Sequence, residues 1–292
     1  MNEQYLKNLP AWCSQDTPLD LVLSDDIDSL ASCILLKQMK NWSIKYFYDF
    51  ERMYKLDDLF SDTNMDNEKC YVDVAVMQGK AFDNHVSRPF PRDCLYNKEM
   101  VNPNLLRVIT NNNYFDKYAG STLLLVWSIY NKPLPRTEKG KMLLLCVDSA
   151  YKGFYDDDYA ETQRSYLVDM LGFTELYKVI LAHKPEDFIQ LIQEYHLDGK
   201  IWYEDRKLKT DVDMKRIGMN LELPLSGYEQ LGEFIPKEKY EAYFENYAAC
   251  MDLWFWYPQK RKEIFSFAFT RKDKVSYSKK NSQENEKEKE TA

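Results

Sequence analysis

Several features that would assign the chain to a large class are scarce or missing. None of its six cysteines, at positions 13, 33, 70, 94, 146 and 250, belongs to a C-x-x-C pair, which argues against a zinc ribbon. Scattered through apolar or strand-like segments, they read as reduced, buried thiols of a cytosolic protein. No apolar run approaches the ~20 residues needed to cross a bilayer, and no charged-then-apolar signal segment opens the chain. A cytoplasmic protein with no membrane partner is expected. Positive charge is also in deficit: 39 Lys and Arg stand against 47 Asp and Glu, a net charge of −8. That balance argues against coating duplex DNA through a broad basic surface, although a local basic cleft stays open. Only three histidines occur, and no internal repeat is found.

What is present describes a folded protein. Hydrophobic residues make up 45% of the 292 positions and aromatics 15%, enough for two ordinary cores. Only the last stretch, "KKNSQENEKEKETA", lacks apolar residues and reads as a disordered tail, 280–292. Residues 19–23, apolar except for Asp20, form a short run as expected of a strand covered on both faces. Ser29 is placed to cap a helix carrying Leu30, Ile34, Leu35 and Met39 on its apolar side. "SIKYFYDF" follows as a second strand, "CYVDVAV" (70–76) as a third, and "KAFDNHV" (80–86) as a short fourth element. Helices are predicted from about Gly120 to Tyr130 and from about Thr137 to Cys146, parted by two prolines. Past the acidic link "YDDDYAE", the sequence predicts a capped helix ending at Gly199, a long helix over "EKYEAYFENYAACMDLWFWY", and a strand at "EIFSFAFT". The expected fold is α/β: an open, mainly parallel sheet with helices on both faces over 1–155, followed by a smaller α+β domain over 156–279.

In an open α/β sheet, ligands collect at the carboxyl ends of strands, where loops from several strands converge. Acidic residues accumulate at those ends here. Asp25, Asp26 and Asp28 follow the first strand, Asp73 lies within the third, Asp83 and His85 follow the fourth element, and Asp148 ends a helix. Clusters of oxygen ligands become stable when a divalent cation neutralises them, and paired cations form a clamp for in-line attack on phosphorus.

The order "VLSDDIDSLAS", "YVDVA", "FDNHVSR", "AGSTLLLVW", "LLLCVDSAYKGF" resembles the five successive motifs of the DHH phosphoesterase superfamily. The resemblance covers about residues 19–155. It implies that Asp26 and Asp28 are paired metal ligands, that Asp73 bridges two metals, and that Asp148 is a last ligand. Asp83, Asn84 and His85 fall on the Asp-His-His triplet, with His85 a donor or general acid at the scissile phosphate. Gly120, Ser121 and Thr122 match the small-residue helix start near the phosphate. The chain departs from the pattern twice: no histidine precedes the first aspartates, and Asn84 replaces the metal-binding middle imidazole. An all-oxygen set favours Mg²⁺, Ca²⁺ or weakly held Mn²⁺. The expected cofactor is Mn²⁺ or Mg²⁺, two ions, and Asp25 is placed to supply charge in compensation.

Further substrate contacts are expected from Arg88 and Arg92 in "VSRPFPRD", which could fork a phosphate. In "FTRKDKVSYSKK", Arg271, Lys272 and Lys274 match the basic C-terminal segment that closes on substrate in the family. The aromatic run "WFWY" at 254–257 suits interdomain core or base stacking. Two functions follow: a metal-dependent phosphoesterase or phosphodiesterase acting on a short single-stranded oligonucleotide or (cyclic) nucleotide, or a relative that kept the phosphate pocket and binds or sequesters nucleotides without turnover.

Overall fold

The computed structural model describes residues 1–60, 66–93, 96–249 and 262–281. Among the described residues eleven strands are formed: β1 (Asp20–Leu23), β2 (Ser43–Tyr48), β3 (Arg52–Leu56), β4 (Lys69–Val72), β5 (Lys80–Phe82), β6 (Met100–Val101), β7 (Ile201–Glu204), β8 (Lys207–Thr210), β9 (Phe234–Asn246), β10 (Ile264–Arg271) and β11 (Lys274–Lys280). The α-helices are α1 (Glu3–Leu6), α2 (Ile27–Lys40), α3 (Pro103–Leu106), α4 (Thr122–Ile129), α5 (Glu138–Cys146), α6 (Ala160–Arg164), α7 (Thr174–Ala182), α8 (Pro185–Tyr195) and α9 (Met214–Leu221).

Nine strands share one sheet, in the order β10-β11-β9-β3-β2-β1-β4-β5-β6. From β2 through β1, β4 and β5 to β6 every pairing is parallel. The remaining pairings, β2–β3, β3–β9, β9–β11 and β11–β10, are antiparallel. The class is therefore α/β as expected, but the sheet is mixed rather than mainly parallel. Strands β9 to β11, from the stretch assigned to a second domain, extend the sheet of the first. β7 and β8 form a separate hairpin.

The two faces of the sheet are covered differently, which corrects the expectation of helices on both. Leu21, Leu23, Val72 and Phe82 point into the large core shared with α2, α4, α5, α7, α8 and α9. Val22, Tyr46, Tyr48, Met53 and Ala81 point the other way, into a second core completed by Tyr240, Phe265 and Ala268. Here the sheet curls until its far edge lies across its own second face. The Phe265 ring sits 5.3 Å from that of Tyr48, 5.5 Å from Tyr71 and 4.6 Å from Tyr240, and Tyr48 donates to the Ser278 hydroxyl. Aromatic pairs of this kind add about 0.5–1.5 kcal/mol each beyond the area they bury. Burial on both faces explains why Leu21, Val22 and Leu23 of β1 are apolar in succession, and Asp20, buried at the start of the strand, is paired with Lys45 and Asn67.

The curl also closes the free edge of β10, which would otherwise offer unpaired backbone groups. Met77 N–H donates to Phe265 O, Phe267 N–H to Ala75 O and Phe269 N–H to Val86 O. The C-terminal hairpin is thus fixed to the loops that leave β4 and β5.

Local expectations fared unevenly. The helices near 122–129 and 138–146, the helix before Gly199 and the strand at 264–271 are present. The helix expected over 238–257 begins instead as β9, because non-local pairing with β3 and β11 overrides helical spacing. Ser29 is not the cap of α2. Asp26 is, accepting the Ser29 N–H, while the Ser29 hydroxyl donates to Val72 O. Cys13, Cys33, Cys70 and Cys146 are free and buried; Cys94, Cys250, the 254–257 run and the tail from 282 onward lie outside the described residues.

Candidate metal centre

The site lies where β1, β4 and β5 end and α4 begins. Asp28, in the first turn of α2, sends its carboxylate across to α4: Oδ2 accepts the Thr122 N–H at 2.7 Å and Oδ1 the Leu123 N–H at 2.7 Å. These are donors that a helix start leaves without intrahelical partners, and the positive end of the helix dipole favours an anion there. Asp73 follows β4 directly rather than lying within it, in the left-handed region at φ 60°. Its Oδ1 accepts the Thr122 hydroxyl at 2.9 Å. Asp148 lies in the turn Val147–Ser149 that follows α5, with φ 52°. Two carboxylates held in a backbone conformation that non-glycine residues rarely adopt are the kind of strain that collects at functional sites.

The triplet is fixed by two asparagines in and beside α3. Asp83 is fully buried; its Oδ2 accepts the His85 N–H and the Asn102 amide, the latter at 2.8 Å. His85 Nδ1 meets Asp83 Oδ1 at 2.8 Å and stands 4.0 Å from Asp73 Oδ1. Asn102 also donates to His85 O, and Asn104 to Asn84 O at 2.7 Å. Asn84 donates through Nδ2 to Gly120 O at 2.9 Å and Asp148 Oδ2 at 2.8 Å. Its Oδ1 is buried without a hydrogen-bond partner. An orphaned carbonyl oxygen costs free energy until something positive or a donor meets it.

Electrostatics tie these side chains into one unit. Burial, then the charges of Asp73, Asp148 and Asp26, push the Asp28 carboxyl well above its ordinary range. Burial and the charge of Asp26 do the same for Asp73, with His85 opposing. Burial works against the imidazolium of His85, but contact with Asp83 and the fields of Asp73 and Asp148 outweigh it and carry its pKa up to about 10. Carboxylates that raise one another in this way are poised to exchange protons for a cation. Among the described residues, the ligand atoms of Asp73, Asp83 and His85 all lie within 4.8 Å of one another. Asp73 and Asp83 offer a hard divalent ion oxygen ligands there, and His85 would add a nitrogen ligand on giving up its imidazolium proton.

Other expected residues are placed otherwise. Gly120, Ser121 and Thr122 are buried: Gly120 O accepts from the Asn84 amide, Ser121 caps α4, and Thr122 donates to Asp28 and Asp73. A Cβ at Gly120 would meet the Tyr118 ring at 2.4 Å, so glycine is required for close approach. Asp25 pairs with Lys200, Nζ to Oδ1 at 3.1 Å. Arg88 turns back on its own loop, donating to Pro91 O and lying 4.5 Å over the Tyr96 ring. Arg271, Lys272 and Lys274 occupy the β10–β11 turn, two to five residues beyond the Phe269–Val86 bond; the Lys272 and Lys274 ammonium groups lie over Phe115 and Phe244. Lys200, Asn102 and Asn104 carry parts of the site that spacing did not suggest. Only Asn102 had a visible signal, the Asn-Pro start of a helix.

No family model, curated protein or solved structure matches this chain. Among the described residues no helix is long and apolar enough to cross a membrane.

Proposed function

We propose that the chain is a divalent-metal-dependent phosphoesterase, a divergent relative of the DHH superfamily that acts in the cytoplasm. Its substrate would be a short single-stranded oligonucleotide or a (cyclic) nucleotide. The observation that supports this reading is the approach of the Asp73, Asp83 and His85 ligand atoms to within 4.8 Å of one another, with Asp28 joined to Asp73 through Thr122 and Asp148 held by Asn84. A purely structural cluster would gain nothing from crowding like charges in a buried place.

Mn²⁺ or Mg²⁺ would be held by Asp26, Asp28, Asp73 and Asp148, with Asp83, Asn84 Oδ1 and His85 beside them. When bound, such an ion supplies a Lewis acid and lowers the pKa of a coordinated water. The chain's own groups do the rest. Thr122 and the first amides of α4 hold Asp28 and Asp73 against rotation. Asp83 and Asn102 fix His85, half-exposed, as a donor toward a phosphoryl oxygen or leaving group.

A second reading, a nucleotide-binding protein without turnover, draws on Asn84 standing in place of an imidazole and on Lys200 lying against Asp26. Hydrolysis of bis-p-nitrophenyl phosphate with Mn²⁺ or Mg²⁺ separates the two. Metal-dependent turnover that Asp73→Ala abolishes is expected. Stabilisation by nucleotide without turnover favours the binding protein, and no response to metal or nucleotide removes both readings.

A further inference from the structure

Lys200 is the only basic residue with an ion pair to the Asp25–Asp26–Asp28 group among the described residues. Its Nζ stands 3.1 Å from Asp25 Oδ1 and 3.5 Å from Asp26 Oδ2. Backbone pairing fixes its position. Ile201 N–H donates to Asp25 O at 2.7 Å, Lys200 and Asp26 form an antiparallel bridge, and the Thr210 hydroxyl donates to Lys200 O. The turn that delivers it is tight: a Cβ at Gly199 would meet Val212 Cγ2 at 2.9 Å and His196 O at 3.0 Å. A cavity of about 200 Å³ lies between this turn and the acidic residues, bounded by Asp26, Asp28, Asp148 and Lys200.

The consequence for Asp26 is specific. Its Oδ1 is engaged by the Ser29 N–H and its Oδ2 by Lys200, so a metal ion reaching this carboxylate at Oδ2 meets an ammonium already there. We infer that Lys200 is a built-in competitor for divalent cations at the Asp25–Asp26 end of the site. The inference rests on the metal-centre reading above. It assigns the inner residues, Asp73, Asp83 and His85, to a cation that meets no lysine or arginine side chain. The outer residues are assigned to one that must first move Lys200 aside. The side chain can do so, being 60% exposed and long enough to swing into solvent.

The test is a Mn²⁺ titration of full-length wild type, Lys200→Met and Lys200→Arg, followed by calorimetry and by the spin-resonance signal of free manganese. Lys200→Met is expected to tighten the weaker manganese step by about tenfold or more, since an adjacent like charge is removed. Lys200→Arg, which keeps the charge, is expected to stay close to wild type. If wild type and Lys200→Met bind manganese alike, or the Met variant binds more weakly, competition by Lys200 is overturned while the metal centre stands. If neither protein binds manganese at any concentration, the metal centre itself falls, and the inference with it.

Discussion

Asp73→Asn should make the metal-free protein more stable at neutral pH and at the same time remove its response to manganese. Asp73 is 6% exposed, and burial together with Asp26 raises its pKa well above the ordinary 3.8. For a group raised in the folded state, the associated stability is complete below the unfolded pKa and is lost as pH rises toward and through the folded value. From pH 3.8 to 7 the loss has a ceiling: about 3 pH units at 1.36 kcal/mol each is about 4 kcal/mol, reached only if the folded carboxyl keeps its proton throughout. Asparagine is neutral, preserves an acceptor for the Thr122 hydroxyl, and escapes that loss. It forfeits the attraction of His85 at 4.0 Å, part of which Asp83 already supplies at 2.8 Å. A net gain of about 1–3 kcal/mol is expected, which for a chain of this size raises Tm by roughly 2–10 °C. The assay is thermal unfolding in chelator from pH 4 to pH 8, repeated with saturating Mn²⁺. The gain should vanish near pH 4 and grow with pH, and in manganese the order should reverse, with wild type the more stable. A variant less stable than wild type in chelator at pH 7.5, or a difference that ignores pH, refutes the reasoning.

Two further predictions probe the supports of the site. Asn102→Ala removes the donor to Asp83 Oδ2 and His85 O and the cap of α3; manganese affinity measured by calorimetry should fall about 10- to 100-fold, as for other partners that orient metal ligands, and an unchanged affinity would show that Asp83 needs no such orientation. Phe267→Ala empties a fully buried position in the hairpin bonded to Ala75. It should cost about 3–5 kcal/mol in urea unfolding, whereas a loss under 1 kcal/mol would mean that the hairpin is not anchored by its core residues.

Much of the site was legible because its signals are local. A strand that runs into carboxylates predicts a ligand-bearing carboxyl edge; Asp73, Asp83 and His85 bring ligand atoms within 4.8 Å of one another, Asp28 shares Thr122 with Asp73, and Asp148 is held by Asn84. The helix start at Gly120 to Thr122 was legible, but not that Thr122 and Leu123 would turn their amides to Asp28, because spacing fixes where a helix starts and not whether its first amides face solvent or a buried carboxylate. What escaped was non-local. Lys200 reaches Asp26 from 174 residues away through one short backbone pairing, and no pattern near either residue announces it. The misread β9 has the same origin: Tyr240 to Asn246 is a strand because β11 lies beside it. The curl that lays Phe265 across Tyr48 depends on those pairings in turn.

The account turns on a divalent cation bound to Asp73 and shared with the carboxylates around it. Anomalous diffraction from crystals grown with manganese tests this directly. A manganese peak bonded to Asp73, with Asp28 or Asp148 in the same coordination shell, is the predicted result. A map with no manganese at these carboxylates, under conditions that saturate other manganese proteins, would contradict it.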